Sequence, residues 1–357
     1  MVCAVEVLGK KYKRVTQQDI ADRVGVSRAT VSAAISGARY VSPELKQKIL
    51  QAIEELHYVP DIVARSMKTN QTMTIGLVLP NILSPIWATV ARGVEDVARR
   101  EGLSTIICDT DEQAERMREA LRSLQQKRVD GVIVAPCGNR GDLIAESLSQ
   151  GLAPMVFVDR GPDGIDLDTV WSDNEGGAYQ AVQHLWEAGY RRIGIITVSL
   201  DITSGRDRLR GYRRALAERE MAVDEDLVVV GGRGLEDGYR GACRLLGLAP
   251  HKRPEALFVS SHLMTVGALA AIRERHLRVP EDIALIGFDD LPWTPFMDPP
   301  LTVVSQPAYD IGAKAAELLL ARMAGQAGRD AQHIVLPTRL VHRQSCCVGA
   351  RTGVPQP

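Results

Sequence analysis

From Thr16 to Tyr58 apolar residues return every three or four positions, interrupted at short intervals by residues that cap or end helices. That pattern predicts three helices rather than strands. Thr16 is a helix N-cap, and Ile20, Ala21 and Val24 share one face of a first helix, Gln17 to Val24. Gly25-Val26-Ser27 supplies a glycine turn and a second cap, so another helix runs from Arg28 to Ser36 and stops at Gly37. Ser42-Pro43, a cap followed by proline at the first helical position, opens a third helix that turns Leu45, Ile49, Ile53 and Leu56 inward. Two short helices joined by a three-residue glycine turn form a helix-turn-helix with Ile20, Val24, Val26, Val31 and Ile35 on its inner side.

After Thr74 short β-branched runs alternate with longer helical stretches. The expected strands are Thr74–Leu79, Ser104–Cys108, Gly131–Ala135, Met155–Val158, Arg192–Thr197, Leu227–Val230, Ala256–Val259 and Ile283–Gly287. Helices are expected between them, among them Pro85–Arg100, Glu112–Lys127, Glu175–Ala188, Arg206–Arg219, Thr265–Arg275 and Tyr309–Met323. Strand–helix alternation means parallel sheets covered on both faces. With about four such units on each side of Ser172-Asp173-Asn174, the fold class is an all-α helix-turn-helix head plus an α/β body of two doubly wound parallel-sheet lobes. The late segments Thr302–Gln306 and His333–Pro337 suggest that the chain crosses back between lobes.

Composition narrows the classes. The chain has 357 residues, 45% hydrophobic and 24% charged, which excludes a disordered or collagen-like protein. Its apolar runs fall short of the ~18 residues a membrane span needs. At the N-terminus a short apolar stretch precedes Lys10, Lys11, Lys13 and Arg14, the reverse of an export signal, so a cytoplasmic location and no membrane are expected. The six cysteines contain no CxxC, which gives no reason to expect a disulfide framework or a zinc site. Residues 1–71 hold eleven Lys/Arg against seven Asp/Glu, and the remainder 32 against 37. A small basic head on an acidic body is the footprint of a protein whose head meets a polyanion.

The second helix presents Arg28, Ala29, Thr30, Ser32 and Ala33 on its outer side. Such a helix fits a ~12 Å major groove, where Arg donates twice to guanine and Ala or Thr methyls meet thymine methyls. A three-helix bundle with a merely solvated polar face has the same spacing. In the body, parallel lobes bind ligands beyond the carboxyl ends of their strands. Those positions are Pro80 to Trp87, Asp109, Asp159-Arg160, Ser199 to Arg208, Ser260 to His262 and Phe288-Asp289. Carboxylates, a guanidinium and an indole converging on a cleft suit a polyhydroxylated ligand, although charged strand ends are also common as solvated loops. No GxxxxGK[ST], HExxH or GxSxG occurs, and His184, His251 and His262 are isolated, so neither an enzyme nor a cofactor is expected.

The stretch VTQQDIADRVGVSRATVSAAISGARYVSPELKQKILQAIEELHYVPDIVARSMKTN closely resembles the DNA-binding head of the LacI/GalR family of bacterial repressors. The resemblance continues through TIGLVLP, VDGVIVAP, GYRRIGII, LRVPEDIALIGFDDLPW and LVHRQS, covering nearly all of the chain after Arg14. It implies a body of the periplasmic-binding-protein type, a twofold-symmetric double-stranded DNA operator, a homodimer and a small-molecule effector, a sugar, sugar acid or related metabolite. By the resemblance Arg28, Ala29 and Ala33 occupy the base-reading positions, and Ala29 and Ala33 depart from members with larger polar groups there. Thr16, Gln17, Ser27, Thr30 and Ser32 then read as phosphate anchors. Pro60 to Lys68 reads as a hinge helix that forms on the minor groove, with Met67 as the wedge and Arg65 and Lys68 on phosphates. Ile86, Trp87, Asp159, Arg208 and Asp289 match effector contacts. His262 stands in Ser261-His262 where relatives often carry Asn-Asp, a departure from the usual hydrogen-bonding pattern. A solute-binding protein would share this body but would have no use for residues 16 to 68. The expected organisation is a head of 15–59, a hinge of 60–71 and a body of 72–349. Within the body, lobe 1 is about 72–172 with 305–331, and lobe 2 about 173–304 with 332–349.

Overall fold

A computed structural model describes residues 15–37, 39–58 and 71–346. The chain forms two compact units, Met1–Asn70 and Gln71–Pro357. Pro60 to Lys68, with Arg65, Met67 and Lys68, lies outside the described residues.

The head contains α1 (Gln17–Val24), α2 (Arg28–Ser36) and α3 (Pro43–Glu55). Each begins at the cap that the sequence advertises. Thr16 and Asp19 close a reciprocal capping box on α1, and Ser27 and Ser42 accept from the amides of Thr30 and Leu45. Gly25 and Gly37 take φ of 75° and 71°, left-handed values that end α1 and α2 without steric cost. Ile20, Val31 and Ile49 are fully buried at the centre, ringed by Val24, Val26, Ile35, Leu45, Ile53 and Leu56.

The body begins with β1 (Thr74–Leu79), α4 (Pro85–Arg100), β2 (Ser104–Asp109), α5 (Ala114–Gln126), β3 (Gly131–Val134), α6 (Gly141–Ser149), β4 (Met155–Val158) and β5 (Thr169–Ser172). It continues with α7 (Asn174–Glu187), β6 (Ile193–Thr197), α8 (Thr203–Ala217), β7 (Val228–Val230), α9 (Leu235–Leu246), β8 (Ala256–Val259), α10 (His262–Glu274), β9 (Ala284–Phe288) and β10 (Thr302–Ser305). It closes with α11 (Ala308–Met323), β11 (His333–Leu336) and β12 (Arg339–Val341). The strands make two six-stranded sheets of matching order, β11-β5-β4-β3-β1-β2 and β12-β10-β9-β8-β6-β7. Every pairing is parallel except β10 with β12. Central strands such as Gly131–Val134 and Ala256–Val259 are buried along their whole length, as strands covered by helices on both faces must be.

The sheets correct the expected lobe boundaries. His333–Leu336, assigned by sequence to the second lobe, pairs in parallel with β5 of the first. The last crossing therefore falls at Pro337-Thr338, and the chain passes between lobes three times: after β5, after β10 and after β11. The physical reason is β5, a short strand the sequence pattern did not disclose, whose outer edge is free to pair with β11. The stretch read as strand Leu227–Val230 opens instead with a 3-10 turn, Glu225–Leu227.

Helix pairs meet where glycine removes a side chain. A Cβ on Gly93 would lie 2.2 Å from the Tyr309 carbonyl oxygen, and one on Gly312 would lie 2.0 Å from that of Val90, so α4 and α11 touch backbone to backbone. Gly238 and Gly267 do the same for α9 and α10.

Candidate functional site

In the head, Arg28 and Ala29 are exposed at the start of α2, while Ser32 and Ala33 are half-buried. The Ser27 hydroxyl lies 2.9 Å from the Thr30 hydroxyl and accepts from the Thr30 amide at 3.1 Å. Thr16 donates to Asp19 at 2.7 Å and Gln17 is half-buried beside it. Thr16 and Ser27 thus hold the amino ends of α1 and α2 in shape, and those ends offer unpaired amides and positive dipole to an anion. No positively charged side chain of α2 other than Arg28 stands on this surface.

In the body, the carboxyl ends of both sheets face one cavity of about 240 Å³. Ile86, Trp87, Asp159, Arg208, His262 and Asp289 all line it, whereas Asp109, also expected at a strand end, is not in its lining and accepts from the Ile82 amide at 3.2 Å. Asp159 follows β4 and Asp289 follows β9, equivalent places in the two sheets. Both adopt left-handed backbone, φ 65° and 79°, and both donate their amides to the fifth strand of their own lobe, Val170 at 2.9 Å and Val304 at 2.8 Å. That conformation costs an L-residue about 1–2 kcal/mol, and aspartate tolerates it better than most.

Arg208 projects from α8 into the same cavity. It is 5% exposed, its guanidinium lies 3.6 Å from the Phe288 ring centre, and Nε donates to Asn174 at 2.8 Å. Burial lowers its pKa, with Asp289 and Asp159 acting in the opposite direction. Burial pushes the Asp159 carboxyl up, and the charges of Arg160 and Arg208 only partly offset it. Burial also acts to raise Asp289, but the hydrogen bond and charge of His262, with Arg208 and Gln306, hold it below the ordinary carboxylate range.

His262 links the lobes. Its Nδ1 is 2.8 Å from Asp289 Oδ2, and Nε2 is 3.3 Å from Ser84 Oγ at the start of α4 in the first lobe. Nδ1–H donates to the carboxylate, and Nε2 faces the serine hydroxyl. Other contacts also cross. Glu112 meets Arg233 at 3.1 Å, Asp163 meets Arg206 at 2.6 Å, and Gln306 accepts from Ser172 at 3.0 Å while donating to Asp289. Sequence reasoning missed Glu112, Arg233 and Gln306 as site residues. The signal was present, because Glu112 and Arg233 each stand three residues beyond a strand end, β2 and β7. Among the described residues no group of histidine, cysteine, aspartate or glutamate is arranged to hold a metal ion, and no helix is long and apolar enough to cross a membrane.

A helix-turn-helix unit on the same chain as a two-lobed body with a ligand-sized cleft between its lobes defines a ligand-regulated DNA-binding protein. Residues 16–61 match the family "Bacterial regulatory proteins, lacI family", and residues 182–346 match the "Periplasmic binding protein-like domain". The chain is 35% identical over 309 residues to the HTH-type transcriptional repressor PurR of Aliivibrio fischeri, covering 86% of this chain and 91% of the relative. It is 38% identical over 337 residues to PurR of Edwardsiella ictaluri, 94% and 97% of the two lengths. The chain belongs to the LacI family; it is a DNA-binding transcriptional repressor with a ligand-binding domain, and not an enzyme. Among solved structures it is similar to the lac repressor dimer bound to operator and the anti-inducer ONPF, with TM-score 0.83, 27% identity and coverage of 94% and 100%. It is also similar to a complex of the transcriptional regulator CelR with cellobiose, with TM-score 0.71, 33% identity and coverage of 93% and 100%.

Proposed function

We propose that the repressor acts as a homodimer on a palindromic operator and that a polyhydroxylated small molecule, a sugar or sugar derivative, is its effector. The observation that carries the effector reading is the convergence of Asp159, Arg208 and Asp289 with the Trp87 indole in one cavity between the lobes. Carboxylates and a guanidinium satisfy hydroxyls, and the indole covers the apolar face of a ring. The CelR complex, whose ligand is cellobiose, supports the same class. The dimer rests on likeness to the lac repressor, which was solved as a dimer on its operator.

In this reading Arg28, Ala29 and Ala33 read bases, with Arg28 supplying the hydrogen bonds and the alanines apolar contacts. Thr16, Gln17, Ser27, Thr30 and Ser32, with the helix ends they cap, sit on phosphates. The hinge of 60–71 joins the units, with Met67 wedging the central base step and Arg65 and Lys68 on phosphates. A ligand shifts DNA affinity only by its different affinity for two lobe arrangements, with typical coupling of ~1–3 kcal/mol.

The test is selection of bound fragments from genomic DNA by the purified full chain at two salt concentrations, with and without sugars. An enriched palindrome whose retention changes with one sugar is the expected result. Salt-sensitive binding without a motif, unchanged by any sugar, would overturn it.

A further inference from the structure

Between the lobes the Glu112 carboxylate lies against two guanidinium groups. Arg160, from the end of β4, donates to both its oxygens at 2.9 and 3.0 Å, and Arg233, from beyond β7 in the other lobe, approaches it at 3.1 Å. Arg160 is 3% exposed, lines the cavity with its guanidinium 5.8 Å from the Trp87 ring centre, and its Nε has no hydrogen-bond partner; neither has the buried Nε of Arg233. A buried guanidinium donor without an acceptor is costly, and both of these arginines line the cavity. Glu112 is held there by a strained backbone: it and Asp111 are consecutive left-handed residues, with φ 56° and 48°, and neither is glycine.

From these observations we infer that the cleft contains an anion subsite, formed by Arg160 and Arg233 from opposite lobes, in which an effector's carboxylate or phosphate takes the place of the Glu112 carboxylate. The inference rests on the cleft being the effector site and narrows the effector to an acidic sugar derivative. Two planar forks facing one small space suit a bidentate anion better than a hydroxyl. Displaced, Glu112 leaves its strained conformation and gives up its bond to Arg233, so binding replaces one link between the lobes with another. Asp201, 2.8 Å from the other end of Arg233, keeps that side chain pointed at the subsite. Asp111, Asp159 and Asp289 also line the cavity. Their hydroxyl-accepting capacity belongs to the neutral part of the same ligand.

The experiment follows Trp87-sensitive fluorescence of the full chain during titration with matched neutral and acidic probes: D-glucose, D-gluconate and glucose 6-phosphate, and D-ribose with ribose 5-phosphate. At least one acid is expected to bind ten-fold or more tightly than its neutral counterpart, with the carboxylate and phosphate arms deciding which anion is read. Arg233→Gln should abolish that preference, weakening the acid at least ten-fold more than its neutral counterpart. Glu112→Gln decides the sign: removal of an internal competitor tightens the acid, whereas loss of a hydroxyl acceptor weakens every sugar. If Arg160→Gln fails to fold, Arg233→Gln and Glu112→Gln still decide the question. A neutral sugar that binds as well as its acid, or a Glu112→Gln protein that binds acids more weakly, overturns the subsite and leaves the cleft reading standing. No saturation by any probe, neutral or acidic, at about 10 mM overturns both readings, because a Kd that weak corresponds to less than ~2.7 kcal/mol of binding.

Discussion

Asp159 and Asp289 occupy equivalent places in the two sheets yet carry their charge differently, because only Asp289 has a hydrogen-bonding imidazole and amide beside it. The folded-state pKa of Asp159 is raised, so its contribution to stability is fully present below the unfolded value of ~3.9 and is lost as pH rises through the folded value. Asp159→Asn, which stays neutral, should therefore raise the melting temperature at pH 7, and the gain should vanish as pH falls toward 4; melting curves across that range check it. Asp289, held low, contributes above its unfolded pKa and loses that contribution only in strong acid. Asp289→Ala should leave operator binding intact and abolish the response to effector, measured by DNA retention with and without ligand. In the head, Arg28→Ala should relax base preference at one position of each half-site by ~1–3 kcal/mol, read from selected sequences, whereas a phosphate role would weaken all sequences equally. At this scale the strand-end rule made most of the cleft legible. Arg233 escapes that rule because Gly231-Gly232, which carry no side chains, separate it from the end of β7. Glu112 was read as the start of a helix that in fact begins at Ala114.

Elements whose ends are written in side chains were legible almost to the residue. Thr16, Ser27 and Ser42 mark the starts of α1, α2 and α3, and Gly25 and Gly37 the ends of the first two, because capping is a local interaction that the sequence contains entirely. Thr169–Ser172 was not legible, since its strand character comes from pairing with β4 on one side and with residues more than 160 positions later on the other. Legible glycines likewise concealed their reason. Gly312 sits within α11, where glycine costs about 1 kcal/mol of helix propensity relative to alanine, and the structure shows the offsetting contact with the Val90 carbonyl. Gly312→Ala should therefore lower stability instead of raising it, by roughly 1–3 kcal/mol, as an overpacked contact that forces α4 and α11 apart. Urea unfolding of the variant against the parent measures it. A more stable variant would mean that the two helices separate at little cost.

For the whole molecule the pattern of alternating strands and helices predicted two lobes, and matching sheet orders confirm that architecture, but the routing of the chain depended on pairings no local pattern carries. Of the three crossings, the second brings α11 back into the first lobe, where Ile311, Ala315, Ala316, Leu318 and Leu319 enter its core. There Arg322 forms a two-pronged pair with Asp168, at 2.6 and 2.7 Å, at the entry to β5. Asp168 is 4% exposed, so Arg322→Ala, which leaves that carboxylate without its two-pronged partner, should lower the urea midpoint of the body. The same routing means that covalent order and spatial order disagree: the first lobe is finished by α11 and β11, synthesised after most of the second. A gene divided after Asp173 would yield a front piece lacking the helix that covers β3, β4 and β5, and a back piece carrying that helix with nothing to rest on. Expressed apart, each piece exposes a raw apolar face; expressed together, they should find one another and purify as a single body. Joining either piece to a bait would then turn this regulator into a two-part reporter of proximity.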